Sequence, residues 1–282
     1  MALSFNYYTP LLAALLQLLP QCASAWGSQG HRVTGLIAEQ LLTARTRIAL
    51  HQLGIESLAD SSTWMDDVRD EPEGRQMAPW HFDNRPACGG PAWHCPGDGC
   101  ATQKLQESYL ALKARPRDPD AARTVKVLVH LVGDLHQPLH QGDNDDHGGN
   151  SVKILNRKCW SYHAHKVQSC TLHAYWDTEL VKGLLRGRSE QSLAKELQVE
   201  YAPLIRGERI EVARWSGESV QLARSTAYHA AGFTCHGGSG EFTVDASYDA
   251  AAGEAVRTQL GKAGIRMANM LNDIFDGHSG QP

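Results

Sequence analysis

Residues 119–140 read PDAARTVKVLVHLVGDLHQPLH, and both the fold class and the chemistry can be approached from this stretch. Val125, Leu128, Val129 and Val132 recur at helical spacing, so residues 119–135 form an amphipathic helix. His130 and Asp134 stand four positions apart and project from one face of it. Pro138 lacks an N–H and clashes with the turn before it, so the chain bends near residues 135–138. His140 then lies past the bend and points away from the His130 face. One short segment can serve two neighbouring metal ions, with Asp134 between them, and the other ligands must come from elsewhere in the chain.

Working outward, the pattern is mostly helical. Residues 30–42 carry Val33, Ile37 and Leu41, with Leu36 adjacent, and residues 45–53 form a second helix ending at Gly54. In residues 60–72, Asp60-Ser61-Ser62 offers an N-cap cluster ahead of a helical TWMDDVRD. Residues 77–99 are rich in Pro, Gly and Cys and read as an irregular, disulfide-pinned loop. Helices are expected over 102–113, 172–185, 191–199 and 208–231. A long closing helix is expected over 241–276, weakened locally by Gly253, Gly261 and Gly264. Residues 141–150 are a loop, and 151–156 pair with 166–171 as a small β-hairpin. Without a repeat, low-complexity tract or linker, the expectation is one mainly α domain over residues 26–282.

Composition and leader fix the compartment. The chain has 282 residues, 42% hydrophobic and 21% charged, as in ordinary globular proteins. The apolar run at residues 11–19 is too short to span a bilayer. Pro20 and the small-x-small triplet Ala23-Ser24-Ala25 follow it, so residues 1–25 read as a signal peptide cut after Ala25, although they contain no Lys or Arg. Pro20 and Gln21 disfavour lipidation at Cys22. No second long apolar run exists, so the product is soluble, without a membrane anchor, and secreted or periplasmic. Setting Cys22 aside, six of the seven cysteines remain, which reads as disulfides in an exported protein. Six cysteines permit 15 pairings; Cys95–Cys100 and Cys159–Cys170 are local candidates, which leaves Cys88–Cys235 as a long-range tie. A thiolate zinc site is disfavoured because no Cys-x-x-Cys pair is present. The formal net charge of −4 gives no sign of the basic surface usual in nucleic-acid binders. Bound divalent metal reverses the local sign, so a phosphate substrate remains open. The chain has no Asn-x-Ser/Thr sequon, so N-glycosylation is not expected.

Four features supply the further ligands. Cleavage after Ala25 would give Trp26 a free α-amine with a pKa near roughly 8; with its own carbonyl oxygen it forms a five-membered chelate, and His31 lies five residues on. Asp66 stands beside Trp64, His81 lies in PWHFDN, and His173 and Asp177 make a second i,i+4 pair. With His130, Asp134 and His140 this gives five histidines, three aspartates and an amino terminus. The other nine of the 14 histidines, His136 among them, read as ordinary side chains. Imidazole and carboxylate donors without thiolate suit zinc in a catalytic setting, where open positions hold water.

Together these motifs resemble the zinc-dependent single-strand-specific nucleases, the 3′-nucleotidase/nuclease family. The resemblance rests on WGxxGH at 26–31, WxDxxR at 64–69, WHF at 80–82, HxxGDxHQPLH at 130–140, DxGGN at 146–150, LHxxWDT at 172–178 and the closing QLGKAGIRMANMLN at 259–272. It implies the helical fold shared with zinc phospholipase C, and three zinc ions. Asp66, His81, His130 and Asp134 would hold the first. The Trp26 amine and carbonyl, His31 and Asp134 would hold the second, and His140, His173 and Asp177 the third. The family's common disulfides map onto Cys88–Cys235 and Cys95–Cys100, with Cys159–Cys170 additional.

The implied reaction hydrolyses single-stranded DNA and RNA, and 3′-mononucleotides, by breaking P–O3′ and leaving 5′-phosphates, in a monomer. Zinc lowers the pKa of water towards roughly 7 and neutralises charge on the phosphate. Asp66 and Asp134 would act with Arg69, whose guanidinium, a helical turn beyond Asp66, forks onto a phosphate oxygen. Phe82 would stack an unpaired base. Family members often carry Asp three residues beyond the histidine of WHF; here that residue is Asn84, with Asp83 one step earlier, and both would contact the substrate, with the carboxylate's role and the base preference left open. Asn150 and Thr178 would line the nucleotide pocket, and His147 stands where Arg is common. Two rivals are a zinc phospholipase C, where Glu typically stands at the Asp177 position, and a non-catalytic zinc-binding protein, which needs neither an open position nor Arg69.

Overall fold

The computed structural model describes residues 26–90, 92–161, 165–205, 207–229, 233–236 and 238–276. The signal-peptide reading of residues 1–25, including Cys22 and Ala25, lies outside the described residues, as do His163 and His278.

The protein is mainly α. The principal helices are α1 (Ser28–Leu41), α2 (Ala101–Ala114), α3 (Ala121–Leu135), α4 (Pro138–Gln141), α5 (Glu190–Ile205), α6 (Val212–Leu222) and α7 (Ala246–Asp276). The longer strands β1 (Val152–Ser161), β2 (Lys166–Thr171) and β3 (Gly240–Phe242) form one small sheet in the order β2-β1-β3, and Arg85–Pro86 pairs in parallel with Gly142–Asp143, within the stretch 141–150 expected as loop. Helix α3 is the apolar centre: from Val127 to Leu135 every side chain is buried. Helices α1 and α5 pack against each other and against α7, and α2 packs against α3. Two apolar clusters fill the interior, one around Val33, Trp176 and Leu260, the other around Leu128, Met267 and Leu271.

The closing helix is long and continuous, as expected, and departs from the sequence reading in its start. Residues 240–242 form β3, parallel to β1, so the helix starts later than residue 241. Its start is set by Asp245, whose carboxylate accepts from Tyr248 N at 2.8 Å, a side-chain cap on an otherwise unpaired helix-start amide. The glycines do not break it. A Cβ at Gly261 would meet the Tyr201 ring at 2.5 Å, and one at Gly264 would meet Ile37 at 2.4 Å. These residues are small because α5 and α1 cross there at close range, and that packing outweighs the roughly 1 kcal/mol propensity cost of each glycine.

Other expectations shift for equally local reasons. Residues 60–72 are not one helix: Leu58–Ser61, Trp64–Asp67 and Pro72–Met77 are separate turns, and Ser57 rather than the 60–62 cluster caps the first of them. Within 77–99, Ala78–His81 is a 3₁₀ turn. The hairpin's first strand runs on to Ser161, with an irregularity between Ile154 and Lys158 that breaks the alternation. Residues 208–231 contain α6 followed by a π turn at Ala223–Ala227. Residues 172–185 are helical but widen into a π turn at Tyr175–Glu179. The bend at Pro138 is present: α3 ends at Leu135, and α4 begins at Pro138 with Gln137 as its cap. The three disulfides are Cys88–Cys235, Cys95–Cys100 and Cys159–Cys170.

Candidate metal centre

The histidines and aspartates singled out above come together. Three groups of side chains have ligand atoms within 4.8 Å of one another: His31, His130 and Asp134; Asp66, His81 and His130; His140, His173 and Asp177. All except Asp66 are buried. Helix α1 delivers His31, α3 delivers His130 and Asp134, the turn Trp64–Asp67 delivers Asp66, and the 3₁₀ turn delivers His81. His140 comes from α4, His173 from the helical start at Leu172, and Asp177 from the π turn. A π turn re-aims side chains relative to a regular helix and is frequent at functional sites; here Asp177 Oδ2 lies 3.0 Å from His173 Nε2.

The orientation of the imidazoles is fixed from behind. His130 donates from Nδ1 to Ser62 O, His140 to His81 O and His173 to Gly148 O, each at 2.7 Å. With Nδ1 committed as donor, Nε2 is the atom left to take a cation or a proton, and it faces the cluster in all three. His140 Nε2 and His173 Nε2 are 3.1 Å apart, and His130 Nε2 is 3.0 Å from His81 Nδ1. Nitrogen atoms converging in this way, in a buried setting, are the donor set of a cation site.

Asp134 lies between two sides. Its Oδ1 is 3.3 Å from His31 Nε2, while its Oδ2 is 3.0 Å from His81 Nδ1 and 3.3 Å from His130 Nε2. His31 Nδ1, His31 Nε2 and Asp134 Oδ1 are buried without a hydrogen-bond partner, an arrangement that costs about 1–3 kcal/mol per group if nothing satisfies it. A divalent ion between His31 and Asp134 offers the missing partner, so the residues present fit a metal. The electrostatics agree. Burial alone would raise the Asp134 carboxyl, but His130 and the imidazoles of His31 and His81 outweigh it and hold it well below the usual carboxylate range. Burial disfavours charge on His130, yet Asp134 beside it holds it up at about 9. Burial and the neighbouring His173 push His140 down to about 4. Burial lowers His173 as well, but Asp177 outweighs it and leaves it raised.

Comparison with known proteins agrees with this geometry. The S1/P1 Nuclease family model matches residues 26–276. The chain belongs to the S1/P1 nuclease family. Nuclease S1 of Aspergillus oryzae is 31% identical over 219 residues, covering 74% of this chain and 70% of that protein. Endonuclease 3 of Arabidopsis thaliana is 27% identical, covering 98% of this chain and 97% of that protein. Nuclease P1 of Penicillium citrinum is 26% identical, covering 88% and 97%. This S1/P1 nuclease is thus a member of a zinc-dependent family of hydrolases acting on nucleic acid, and no helix of the described residues is long and apolar enough to cross a membrane.

The remaining residues named from sequence fall around the groups in different ways. Trp26 is buried; its indole lies beside His31 next to Gly133, where a Cβ would meet His31 Nδ1 at 2.7 Å and Trp26 Cδ1 at 3.7 Å. Gly27 N donates to Asp177 O at 2.9 Å, so the start of the described chain threads between the Asp134 and Asp177 groups. Arg69 follows Asp66 by one turn and is half-buried, while Glu73 is held by Arg123. Phe82 is half-buried and belongs to neither apolar cluster among the described residues. Asp83 faces inward: its carboxylate accepts from Thr102 N and from the hydroxyls of Thr102 and Ser216, and burial raises its pKa. Asn84 adopts φ 52°, a left-handed conformation that Asn tolerates better than most residues. Asn150 donates to His147 O, and Thr178 packs against Gly27.

Two contributors were not visible in the sequence. Ser62, part of what reads as an N-cap cluster, donates to His31 O and accepts from His130 Nδ1 at its own carbonyl. His136, read as ordinary, is buried; it donates from Nδ1 to Val132 O and accepts at Nε2 from Arg266. Burial and then Arg266 hold His136 well below its usual pKa. Arg266 in turn pairs with Glu208 and Glu218, so α7 anchors the end of α3 that carries Asp134. No sequence spacing signals either role, because both are made by elements distant along the chain.

Proposed function

We propose that this chain is an exported zinc-dependent endonuclease that hydrolyses single-stranded DNA and RNA to 5′-phosphorylated products and also removes phosphate from 3′-mononucleotides. Asp66, His81, His130 and Asp134 hold one zinc ion. The Trp26 amine and carbonyl, freed by cleavage after Ala25, hold a second with His31 and Asp134. His140, His173 and Asp177 hold a third, and the protein works as a monomer. The observation that carries this reading is Asp134, whose two oxygens face different histidines while three imidazoles are fixed with Nε2 inward. Zinc, when bound, supplies a lowered water pKa and neutralises developing charge on the phosphate.

The protein's own side chains do the rest. The Arg69 guanidinium takes a non-bridging phosphate oxygen as a planar fork. Phe82, outside both apolar clusters, stacks a base, which requires that base to be unpaired and so favours single strands. Asn84, Asn150 and Thr178 line the nucleotide pocket. Asp83, whose carboxylate is taken by Thr102 and Ser216, holds the Phe82–Asn84 segment against α2 and α6.

The test uses the correctly processed protein. Single-stranded DNA, RNA and 3′-AMP should be hydrolysed with 5′-phosphate ends on the polynucleotide products; activity should vanish on chelation and return with zinc, at three zinc ions per chain. Hydrolysis of phosphatidylcholine with none of single-stranded DNA would replace this reading with a phospholipase C. Zinc binding without hydrolysis of any of these would leave a binding protein.

A further inference from the structure

Gln137 is buried beside the third group and is not one of its candidate ligands. Both ends of its amide are committed. Its Nε2 donates to Asp177 Oδ1, and its Oε1 accepts from Leu139 N. The first bond spans 40 residues of sequence; the second closes the turn that begins α4, the helix carrying His140. One side chain therefore links the segments that carry two of the group's three members.

The bond to Oδ1 has a chemical consequence. A carboxylate can offer a cation either oxygen or both. With Oδ1 occupied by an amide N–H, Oδ2 is the oxygen left facing the histidines, 3.0 Å from His173 Nε2, while Oδ1 lies 3.9 Å from His140 Nε2. We propose that Gln137 is a positioning residue that reserves Asp177 Oδ2 for zinc, so that this group offers three donors and keeps a coordination position open for substrate. This rests on the zinc reading above. Partners behind a ligand typically matter at 10–100-fold in metal affinity, and an open position separates catalytic from structural zinc sites.

Three variants separate the parts of the claim. Gln137→Glu keeps an acceptor for Leu139 N and loses the donor to Asp177. Gln137→Met is similar in length and loses both. Asp177→Ala removes the oxygen itself. Zinc content and affinity are measured by elemental analysis and chelator competition, with thermal unfolding to show that each variant is folded. Cobalt-substituted protein reports coordination number through its visible absorption. The expectation is that Gln137→Glu remains folded but unfolds a few degrees below the parent, because a second buried carboxylate faces Asp177, keeps the other two zinc ions, and binds the third at least 10-fold more weakly. Its cobalt difference spectrum, taken against Asp177→Ala, should lose intensity as Asp177 Oδ1 or the introduced carboxylate contributes an extra oxygen. Gln137→Met should weaken the same ion, which decides the matter if the Glu variant is unfolded. The proposal is overturned if either folded variant binds all three ions with parental affinity and spectrum while Asp177→Ala loses one. A parent that binds no zinc, or an Asp177→Ala variant that loses none, would instead overturn the zinc reading beneath it.

Discussion

Asp134 and Asp177 occupy neighbouring histidine groups, but different kinds of structure hold them. Asp134 rides on α3, inside the apolar core, and its histidines arrive from α1 and α3 and from the 3₁₀ turn beside them. Asp177 rides on a π turn; Gly148 O orients His173, His81 O orients His140, and Gln137 donates to Asp177 itself. The first group sits on the long core helix, where displacement costs buried apolar contact, and is backed by hydrogen bonds to and from Ser62. The second is equally buried but sits on a one-turn helix and a π turn, and one side chain, Gln137, bonds both to Asp177 and to the start of the helix that carries His140. The two are tied where His140 Nδ1 donates to His81 O and Gly27 N donates to Asp177 O. This construction makes the Asp177 group the more adjustable of the two.

The largest expected effect is at Asp134. Asp134→Ala should release two zinc ions and leave the Asp177 group loaded, whereas Asp177→Ala should release one. Each lost ion removes several kcal/mol of transition-state stabilisation, on the order of 10³-fold or more in rate, so Asp134→Ala should be the more damaging by hydrolysis of single-stranded DNA. Elemental analysis breaks the comparison if Asp134→Ala retains three ions.

A smaller, sharper effect concerns the chain start. A version of the protein that keeps one residue ahead of Trp26 has an amide there instead of an amine. It should lose the ion shared by His31 and Asp134 alone, keeping two, with the Asp177 group intact. Mass spectrometry confirms the extension and elemental analysis the count; three ions and full activity in the extended protein would remove Trp26 from the ligand set.

What could be read from the sequence divides along the same line. Ligands that share one element, such as His130 with Asp134 or His173 with Asp177, announce themselves by i,i+4 spacing. The bend at Pro138 follows from one residue's covalent structure. The supports behind the ligands do not announce themselves. Ser62, Gln137 and His136 act through contacts across 31 to 130 positions, and a hydroxyl, amide or imidazole has the same local signature whether or not such a partner exists. The length of α7 was legible, but the reason for two of its glycines was not: each reads as a local weakness until its neighbour across the interface, Tyr201 or Ile37, is known.

The smallest expected effect lies in the loop that supports the adjustable group. Asp146 Oδ1 accepts from Gly149 N and Tyr228 Oη, next to the Gly148 carbonyl that orients His173. Burial, with Asp143 beside it, raises the Asp146 carboxyl to about 6, against roughly 3.9 in an unfolded chain. Below about pH 4 both states are protonated and the folded loop carries no penalty. As pH rises towards the raised value the folded state holds a proton that the unfolded chain has already released, so stability is lost across that window. Asp146→Asn keeps the Oδ1 acceptor and presents a donor towards Asp143. It should therefore match the parent near pH 4 and exceed it by on the order of 2 kcal/mol at pH 7, a rise of a few degrees in melting temperature for a domain of this size. Melting curves of both proteins with zinc in excess, taken across this range, report the difference directly because metal release acts on both alike. A difference that stays flat from pH 4 to 7 would mean that the Asp143–Asp146 pair does not hold a proton, and that the loop under His173 is indifferent to pH.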